Sequence, residues 1–329
     1  MNKFKGKNLL VTGGTGFVGS HLVEELLKQE AKVITTYQGR DPHSYFMMQN
    51  MDKKSIMEGV DITDYDAVFD LVTKSEVDYI FHLAAQPLVE TAYYNPRRTL
   101  DSNIRGTINI LESARLYPHV KGVIFASSDK AYGKMARYQS APGKYVESDP
   151  LQGDHPYEVS KSAADLIAYS YFKTYGVPVV TTRFGNIYGE GDLNFSRIIP
   201  GIMKSLVLHE ELPIRSDGTF VRDYLYVKDV VRGYLMLAEH IDEVKGEAFN
   251  FGSDDTMSVL EIIQAVESTL GKKIQYKILN HAKNEIPYQS LDYAKIKEKL
   301  GWKPALTVKL VASSIFKWYL DTINLLHKK

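Results

Sequence analysis

The sequence predicts an α/β fold: a doubly wound parallel sheet with a smaller mixed α/β lobe at the C-terminal end. Short apolar runs alternate with helical patterns through residues 1–183, and those runs are apolar at nearly every position. A glycine cluster separates the first predicted strand from the first predicted helix. Alternating strands and helices indicate βαβ units, and wholly apolar strands are typical of a sheet that helices cover on both faces.

The predicted strands of the first half are short runs rich in aliphatic and aromatic residues, the composition that strands favour. They are Asn8–Thr12, Lys32–Thr36, Asp78–Leu83, Val120–Ala126 and Val177–Arg183. Between these runs, apolar residues recur at the spacing of one helix face. This spacing predicts helices over Val18–Gln29, Tyr65–Thr73, Asn103–Leu116 and Val159–Tyr175.

The predicted elements of the second half are shorter, and prolines and glycines separate them after about residue 185. Leu225–Val227 and Ala248–Phe251 are predicted to be strands that return to the first sheet, and helical patterns cover Ser258–Leu270 and Leu306–Leu326. We therefore expect a first domain over residues 1–183, joined by later segments near residues 223–251, and a second lobe formed mainly by residues 184–329.

Composition excludes several classes of function. Lys and Arg total 40, as do Asp and Glu, so the chain has no basic field for nucleic acid. No uncharged apolar stretch approaches the roughly 18 residues of a membrane span. Cysteine is absent, which excludes disulfides, thiolate catalysis and cysteine-based zinc sites. No His, Asp or Glu cluster has metal-ligand spacing, so we expect no metal, and we expect a cytoplasmic protein.

The glycine cluster follows the spacing G-x-x-G-x-x-G and stands between the first strand and the first helix. Gly13 allows a tight turn, Gly16 lets the backbone approach a pyrophosphate, and Gly19 lets the helix pack close to the strand. Phe17 and Val18 open the helix, whose N-terminal N–H groups attract phosphate. This placement predicts a Rossmann-like, dinucleotide-binding first domain.

The residues expected near the adenosine leave the choice of cofactor open. The second strand ends Thr35-Thr36-Tyr37-Gln38-Gly39-Arg40, without the acid that usually binds the ribose. Arg40 either meets a 2′-phosphate, which favours NADP, or is a solvated loop residue. Asp61, followed by Ile62, stands where a side chain reaches adenine, or else it caps the next helix.

Two groups of polar residues point to catalysis. Tyr157 and Lys161 are four residues apart, one turn along the same helix face, where the lysine cation is expected to lower the phenol's pKa so that it acts as a base. Ser128, Asp129 and Lys130 directly follow a predicted strand, and ligands of open α/β sheets bind beyond the carboxyl ends of strands. The alternatives are a plain helix surface and a turn with a solvated charge pair.

Together these motifs resemble the extended short-chain dehydrogenase/reductase family of nucleotide-sugar epimerases and dehydratases. Further matches extend the resemblance over nearly the whole chain: His82-Leu-Ala-Ala-Gln86, Arg183-Phe-Gly-Asn-Ile-Tyr-Gly189, Arg222-Asp-Tyr-Leu-Tyr-Val-Lys-Asp229 and Leu300-Gly-Trp-Lys-Pro304. Within the family, the segments His82–Val89, Ser128–Tyr132 and Gly191-Asp192 are most similar to CDP-glucose 4,6-dehydratases.

The resemblance implies NAD or NADP as a tightly bound cofactor, with NAD slightly favoured. It implies cofactor contacts from Tyr157 and Lys161, and from the three residues that follow His82, namely Leu83, Ala84 and Ala85. The implied activity oxidises sugar C4, eliminates water across C5 and C6, and returns the hydride to C6. By similarity, Asp129 is the acid at O6. Lys130 is the base at C5, or, if it stays protonated, it stabilises an enolate.

The resemblance also implies a nucleotide-sugar substrate held largely by the second half of the chain. Asn186 and Arg222 are expected at the diphosphate, with Arg197 near the nucleotide. Three further substrate-binding candidates are Gln86, Arg215 and Gln289. The stretch Lys134–Asp154 is expected to form a flap over the sugar. The nucleotide stays open: GDP-sugars and UDP-sugars, including heptoses and N-acetylated sugars, are alternatives to CDP-glucose.

Two rival functions and an expected assembly remain. A 4-epimerase or 4-dehydrogenase of the same family would use Ser128, Tyr157 and Lys161 but leave Asp129 and Lys130 idle, and a non-catalytic NAD(P) sensor would need none of them.

The resemblance further implies a homodimer formed by the helices Asn103–Leu116 and Val159–Tyr175. Its candidate residues, which alternatively cover the chain's own sheet, are Ile110, Leu111, Ile167, Tyr171 and Phe172.

Overall fold

The computed structural model describes residues 3–135, 138, 143–281 and 286–327. Strands β1 to β13 are Asn8–Thr12, Lys32–Thr36, Ile56–Glu58, Tyr79–His82, Gly122–Ala126, Val179–Phe184, Asn186–Tyr188, Leu212–Ile214, Val221–Tyr226, Ala248–Phe251, Thr256–Ser258, Tyr276–Ile278 and Tyr288–Gln289. Helices α1 to α13 are Phe17–Lys28, Tyr45–Met48, Tyr65–Lys74, Val89–Tyr94, Pro96–Leu100, Gly106–Leu116, Pro156–Tyr175, Ile198–Leu208, Val227–Glu239, Ile241–Val244, Val259–Leu270, Ala294–Leu300 and Val308–His327.

The first sheet has seven parallel strands in the order β10-β6-β5-β4-β1-β2-β3. From β1 the chain moves outward through β2 and β3, then crosses back to β4 and continues in the other direction. The strand order therefore reverses between β1 and β4, which is the switch point where such sheets bind ligands. This topology confirms the predicted doubly wound α/β fold class.

Helices cover both faces of this sheet. Leu9 and Val11 face the core cluster that α1 and α9 close, whereas Leu10 faces the cluster closed by α3, α6 and α7. The central strands are thus covered by helices on both faces, whereas Lys32 in β2 and Ile56 in β3 are exposed. This double cover is the physical reason that the strands are apolar at nearly every position.

The second lobe has its own small sheets and core. Strands β7, β11 and β13 all pair with β9, β11 in antiparallel fashion and the other two in parallel, and β8 pairs with β12 in a separate parallel pair. Helices α8, α11 and α13 close a core that includes Ile202, Val266 and Ile315. The lobe is therefore mixed α/β, as the sequence predicted.

The two predicted return strands have different outcomes. Ala248–Phe251 forms β10 and pairs with β6 in the first sheet, as predicted. The prediction for Leu225–Val227 is wrong, because β9 ends at Tyr226 and belongs to the second-lobe sheet, while Val227 begins α9. A buried strand is similarly apolar in either sheet, so its composition does not identify its partner.

The helix residues named as candidates for a dimer interface pack against the chain's own core, which is the alternative that the sequence left open. Ile110 and Leu111 are fully buried in the core on the α6 and α7 face, and Ile167, Tyr171 and Phe172 pack against the same core. Complete burial excludes Ile110 and Leu111 from an interface, whereas Ile167, Tyr171 and Phe172 are only partly buried, and their place in an interface stays a prediction. Among the described residues, no helix combines the length and apolarity needed to cross a bilayer.

Candidate active site at the carboxyl edge of the sheet

The glycine loop lies between β1 and α1 and leaves no room for side chains. Gly13 has φ +71°, and a Cβ there would lie 2.9 Å from the Ala84 nitrogen. A Cβ on Gly19 would lie 2.2 Å from the Gly13 carbonyl oxygen. Gly14, which the sequence analysis did not single out, is equally constrained, because its Cβ would lie 2.1 Å from Thr35 Oγ1. The loop is therefore a bare backbone cradle.

The N-terminus of α1 opens from this cradle. Its N-cap residue, Gly16, is extended (φ −77°, ψ 176°), and no side chain caps the helix. Phe17 and Val18, the first two helical residues, line the large cavity at the carboxyl edge of the sheet. Uncapped N–H groups at a helix N-terminus are a ready anion site, so cradle and helix together fit the pyrophosphate of a dinucleotide.

At the far end of β2, Arg40 is exposed and donates a 3.2 Å hydrogen bond to the Tyr37 hydroxyl, with its guanidinium 5.0 Å from the centre of that ring. Asp61 Oδ1 accepts hydrogen bonds of 2.9 Å from both the backbone nitrogen and the hydroxyl of Thr63. The next residue, Ile62, is buried. The local bond to Thr63 uses one oxygen of the Asp61 carboxylate, and no acid stands at the end of β2.

The end of β4 contributes backbone rather than functional side chains. His82 Nδ1 hydrogen-bonds Thr12 Oγ1 at 2.8 Å and its Nε2 hydrogen-bonds Thr107 Oγ1 at 3.1 Å. Complete burial lowers the pKa of His82 to about 3, so this ring is a neutral core residue. Leu83 and Ala85, just beyond it, line the cavity.

Helix α7 carries Tyr157 and Lys161. His155 caps this helix, because its Nδ1 accepts the Tyr157 N–H at 3.3 Å. Lys161 Nζ donates a 2.9 Å hydrogen bond to the carbonyl of Ala126, the last residue of β5. Burial lowers the pKa of Lys161 to about 8 and raises that of Tyr157 to about 12. Burial therefore raises the pKa of Tyr157, against our expectation that it falls, although a hydrogen bond with Ser128 acts in the lowering direction.

A one-turn 3₁₀ helix, Asp129–Tyr132, follows β5 and carries the second group. Ser128 caps it: its Oγ accepts the Lys130 N–H at 3.2 Å and donates to Asp129 Oδ1 at 3.0 Å. Asp129 is buried and still borders the cavity. Ser128, Asp129 and Lys130 line the same cavity as Tyr157 and Lys161, so the five catalytic candidates are brought together.

The cavity lies between the carboxyl edge of the first sheet and the second lobe. Its volume is about 960 Å³, at the upper end of the roughly 300–1,000 Å³ typical of ligand sites. The second lobe contributes polar and cationic side chains to its lining, which include Asn186, Arg197, Arg215 and Arg222. Cationic side chains that converge on one cleft are suited to a diphosphate.

Two of the four polar residues are held by contacts with the protein. Arg197 Nη1 lies 3.0 Å from Asp192 Oδ2, and Asp192 is buried. Arg222 is buried too, and its Nη1 donates to the Val221 carbonyl at 2.7 Å. These contacts fix the direction of both guanidinium groups while leaving them on the cavity wall.

Gln86 and Gln289, the remaining substrate-binding candidates, do not belong to the described cavity lining. The Gln86 side-chain amide lies 3.0 Å from Thr99 Oγ1 and ties the β4–α4 connection to α5. Gln289 Nε2 donates to the Asp129 carbonyl at 2.9 Å, and its Oε1 accepts a hydrogen bond from Lys130 Nζ. Both amides bond to the protein itself, and their contact with a substrate stays a prediction.

The sequence analysis missed a buried polar network that lies behind the 3₁₀ turn. Arg183 makes two hydrogen bonds to Asp165, at 2.8 and 2.9 Å, and donates to the Tyr132 hydroxyl at 2.7 Å. Tyr132 in turn donates to Asn250 Oδ1 at 2.8 Å. The network joins α7, the 3₁₀ turn, β6 and β10. Its one sequence signal was Asp165, which lies one turn beyond Lys161 on the same helix.

The expected flap, Lys134–Asp154, falls partly outside the described residues. In its described part, the Tyr145 N–H donates to the Ser290 carbonyl at 2.8 Å and the Tyr145 carbonyl accepts from the Asp292 nitrogen at 2.9 Å. This segment is thus joined to the residues that directly follow β13 in the second lobe. Within the described ranges, no group of His, Asp or Glu side chains is arranged to hold a metal ion.

Two curated proteins are similar to this chain over almost their whole length. The dTDP-glucose 4,6-dehydratase of Haemophilus influenzae is 30% identical, with 95% of this chain and 98% of that protein covered. The CDP-glucose 4,6-dehydratase of Salmonella typhimurium is 29% identical, with 97% and 92% covered. Both relatives are named as 4,6-dehydratases, and the nucleotides in their names differ.

Solved structures of a 4-epimerase and of a 4,6-dehydratase both have the fold of this chain. The UDP-glucose 4-epimerase of Thermotoga maritima, solved with UDP-glucose, superposes with a TM-score of 0.85 at 29% identity and covers 96% of this chain and 99% of its own. The dTDP-glucose 4,6-dehydratase of Bacillus anthracis, solved with NAD, has a TM-score of 0.81 at 26% identity and covers 96% and 97%.

The family model of the "NAD dependent epimerase/dehydratase family" matches residues 9–252. That segment runs from β1 to β10 and so includes the glycine cradle, the 3₁₀ turn, the start of α7 and all seven strands of the first sheet. The family resemblance that the sequence motifs indicated is confirmed. This chain belongs to the NAD dependent epimerase/dehydratase family.

Proposed function

We propose that this protein is an NAD(P)-dependent nucleotide-sugar 4,6-dehydratase, a lyase that makes a 4-keto-6-deoxy sugar nucleotide. The observation that carries the proposal is the position of Asp129 and Lys130. Both border the same cavity as Ser128, Tyr157 and Lys161. A 4-epimerase needs no acid and base beyond the oxidation set, whereas a dehydratase must move a proton from C5 and release a hydroxyl from C6.

Bound NAD(P)⁺ supplies a hydride acceptor at C4 and, once reduced, a hydride donor at C6. Tyr157 takes the proton of the C4 hydroxyl, and Ser128 hydrogen-bonds the same oxygen. Lys161, fixed on Ala126, places positive charge beside the phenol and favours its ionised form. The burial that raises the pKa of Tyr157 makes this support necessary.

Asp129 and Lys130 then carry out the elimination. The C4 ketone acidifies the C5–H bond, and the neutral Lys130 amine takes that proton. The electron pair of the C5–H bond becomes the C5=C6 double bond while the C6–O bond breaks. Asp129 in its acid form gives its proton to the leaving oxygen, so that water departs. A hydride added at C6 and a proton returned at C5 complete the product, with a net loss of one water.

The two parts of the chain bind different molecules. We assign the cofactor to residues 1–183 with the returning segment that contains β10, and the nucleotide sugar mainly to residues 184–329. Asn186 and Arg222 hold the diphosphate, and Arg197 and Arg215 lie toward the nucleotide. All four line the cavity. NAD is our first choice of cofactor, since Arg40 is engaged with Tyr37.

The test is incubation of the purified protein with CDP-, GDP-, UDP- and dTDP-hexoses, followed by mass spectrometry. Loss of one water from at least one member of the panel is the expected result. The variant Lys130→Met should abolish water release yet still oxidise C4. An isomerised sugar of unchanged mass would indicate the 4-epimerase instead, and cofactor binding without any turnover would indicate the sensor.

The active form is assigned as a homodimer built on α7. Val159, Leu166 and Tyr169 are exposed and spaced by seven and three residues, which places them on one face of the helix. Leu116, at the end of α6, is another exposed apolar residue. A second copy that presents the same face would cover this apolar stripe.

A further inference from the structure

Gln289 lies in the interior, where β13 meets the catalytic turn. It is 1% exposed, and β13 runs parallel to β9 with Gln289 opposite Arg222 in the register. Its side-chain amide reaches the 3₁₀ turn with both ends. Nε2 donates to the Asp129 carbonyl at 2.9 Å, and Oε1 accepts from Lys130 Nζ. One amide therefore contacts both members of the proposed acid–base pair.

The strand that carries Gln289 is itself fixed by its neighbours. Ser290 Oγ donates to Asp223 Oδ1 at 2.8 Å, and the Leu291 N–H donates to Asp223 Oδ2 at 2.7 Å. Asp223 belongs to β9, the strand that also carries Arg222. The Gln289 backbone is thus held against the substrate-binding lobe, while its side chain is held by the catalytic turn.

We propose that Gln289 is a positioning residue for the elimination step, which holds the Lys130 amine toward the substrate and the Asp129 turn against β13. This role rests on the proposed dehydratase function. A neutral amine can give one hydrogen to the amide oxygen and still direct its lone pair at C5–H. The sugar-binding strand β9 and the acid–base turn are then joined through a single side chain.

The chemistry of an amide suits this position better than that of a carboxylate. An amide oxygen accepts a hydrogen bond from an amine in either protonation state, whereas a carboxylate favours the charged amine, which cannot act as a base. Charged groups near Lys130 include Asp129 on its own turn and Glu158 on α7, and Arg197 and Arg222 line the same cavity. A carboxylate at position 289 would place one more negative charge beside Lys130 and favour the protonated form of its amine.

Two variants and one control test the role. Gln289→Met keeps approximately the same volume but removes both hydrogen bonds, and Gln289→Glu places an anion beside Lys130. Ser290→Ala is the matched control, because it removes a buried hydrogen bond to Asp223 from the residue next to Gln289 without touching Asp129 or Lys130. Thermal unfolding and cofactor binding are measured first, and the size of the Ser290→Ala effect defines a purely structural loss.

Single-turnover kinetics then separate C4 oxidation, seen as reduced nicotinamide, from water release, seen by quenched-flow mass spectrometry. Gln289→Met should oxidise C4 within about twofold of wild type but release water roughly 10- to 100-fold more slowly at every pH, the size expected for a misplaced catalytic group. Gln289→Glu should release water slowly at neutral pH and recover as pH rises, with its rising limb displaced upward by about one unit or more.

The outcomes distinguish this role from the proposed function. Water release at the wild-type rate and with the wild-type pH profile in folded Gln289→Met would overturn the positioning role and leave the dehydratase assignment intact. Equal losses in C4 oxidation and water release, matched by Ser290→Ala, would do the same and assign Gln289 to stability alone. A wild-type protein that releases water from no sugar nucleotide would overturn both. If Gln289→Glu does not fold, Gln289→Met still decides.

Discussion

Lys161 Nζ donates a 2.9 Å hydrogen bond to the main-chain oxygen of Ala126. This one contact joins the helix that carries Tyr157 to the end of the central strand β5, two residues before Ser128. The oxidation residues and the elimination residues therefore share one rigid support. Since Lys161 is buried and its pKa is lowered to about 8, its charge is costly in the folded protein.

The burial of Lys161 should be visible in the pH dependence of stability. The folded protein loses this proton near pH 8, whereas the unfolded chain keeps it up to about 10.5. Between these values the unfolded state binds more protons, so this residue makes stability rise with pH. In urea denaturation of the ligand-free proteins, the free energy of unfolding of wild type should rise relative to that of Lys161→Met between about pH 8 and pH 10. Parallel curves for the two proteins would refute the lowered pKa.

The glycine cradle should tolerate no methyl group at position 19. A Cβ there lies 2.2 Å from the Gly13 carbonyl oxygen, so Gly19→Ala must displace the loop that faces the pyrophosphate. We expect cofactor affinity to fall at least about tenfold, measured by titration calorimetry. Gly176→Ala is the control: it strains a left-handed helix end, φ +71°, with nothing within 4 Å. It should lower stability and leave cofactor affinity unchanged.

The buried ion pair behind the catalytic turn should be important for stability. Arg183 and Asp165 have side chains that are 6% and 5% exposed, so Arg183→Gln leaves an unpaired carboxylate in the interior. We expect the free energy of unfolding to fall by about 3–5 kcal/mol, measured by urea denaturation. Lys245→Gln, which breaks an exposed pair with Asp242, should cost far less. A similar loss in both variants would contradict the account of the network.

The exposed stripe on α7 should control assembly. Leu166 and Tyr169 are 56% and 53% exposed, so Leu166→Glu with Tyr169→Glu adds charge without disturbing the core. Sedimentation velocity should show a dimer for wild type and a monomer of unchanged fold for the double variant. A wild-type monomer at micromolar concentration, or a double variant that still dimerises, would exclude this face as the interface.

The sequence predicts what is local or follows from parallel-sheet geometry. The glycines Gly13, Gly16 and Gly19, the group Ser128–Lys130 after β5 and the Tyr157–Lys161 pair were recognised because a strand end and a helix turn each fix neighbouring residues in space. Partners distant in sequence were not recognised. Gln289 contacts Lys130 across 159 residues, and Arg183 contacts Tyr132 across 51. No local pattern encodes such pairs.

The errors have the same origin. The strand β9 was placed in the wrong sheet because a buried strand is apolar whichever partner it has. Ile110 and Leu111 were named as interface candidates, with coverage of the chain's own sheet as the alternative, because helical spacing identifies an apolar face but not the neighbour that covers it. The pKa of Tyr157 was expected to fall because a lysine is nearby in the sequence. Burial raises it instead, and burial depends on the folded surroundings, which the local sequence does not show.

The central claim is that one hydride leaves C4 and returns to the same sugar at C6. The most direct measurement uses a nucleotide hexose deuterated at C4, chosen from the panel member that loses water, with the product analysed by NMR and mass spectrometry. The account predicts that the deuterium appears in the new C6 methyl group. Deuterium lost to solvent, or retained at C4 of an isomerised sugar, would contradict it.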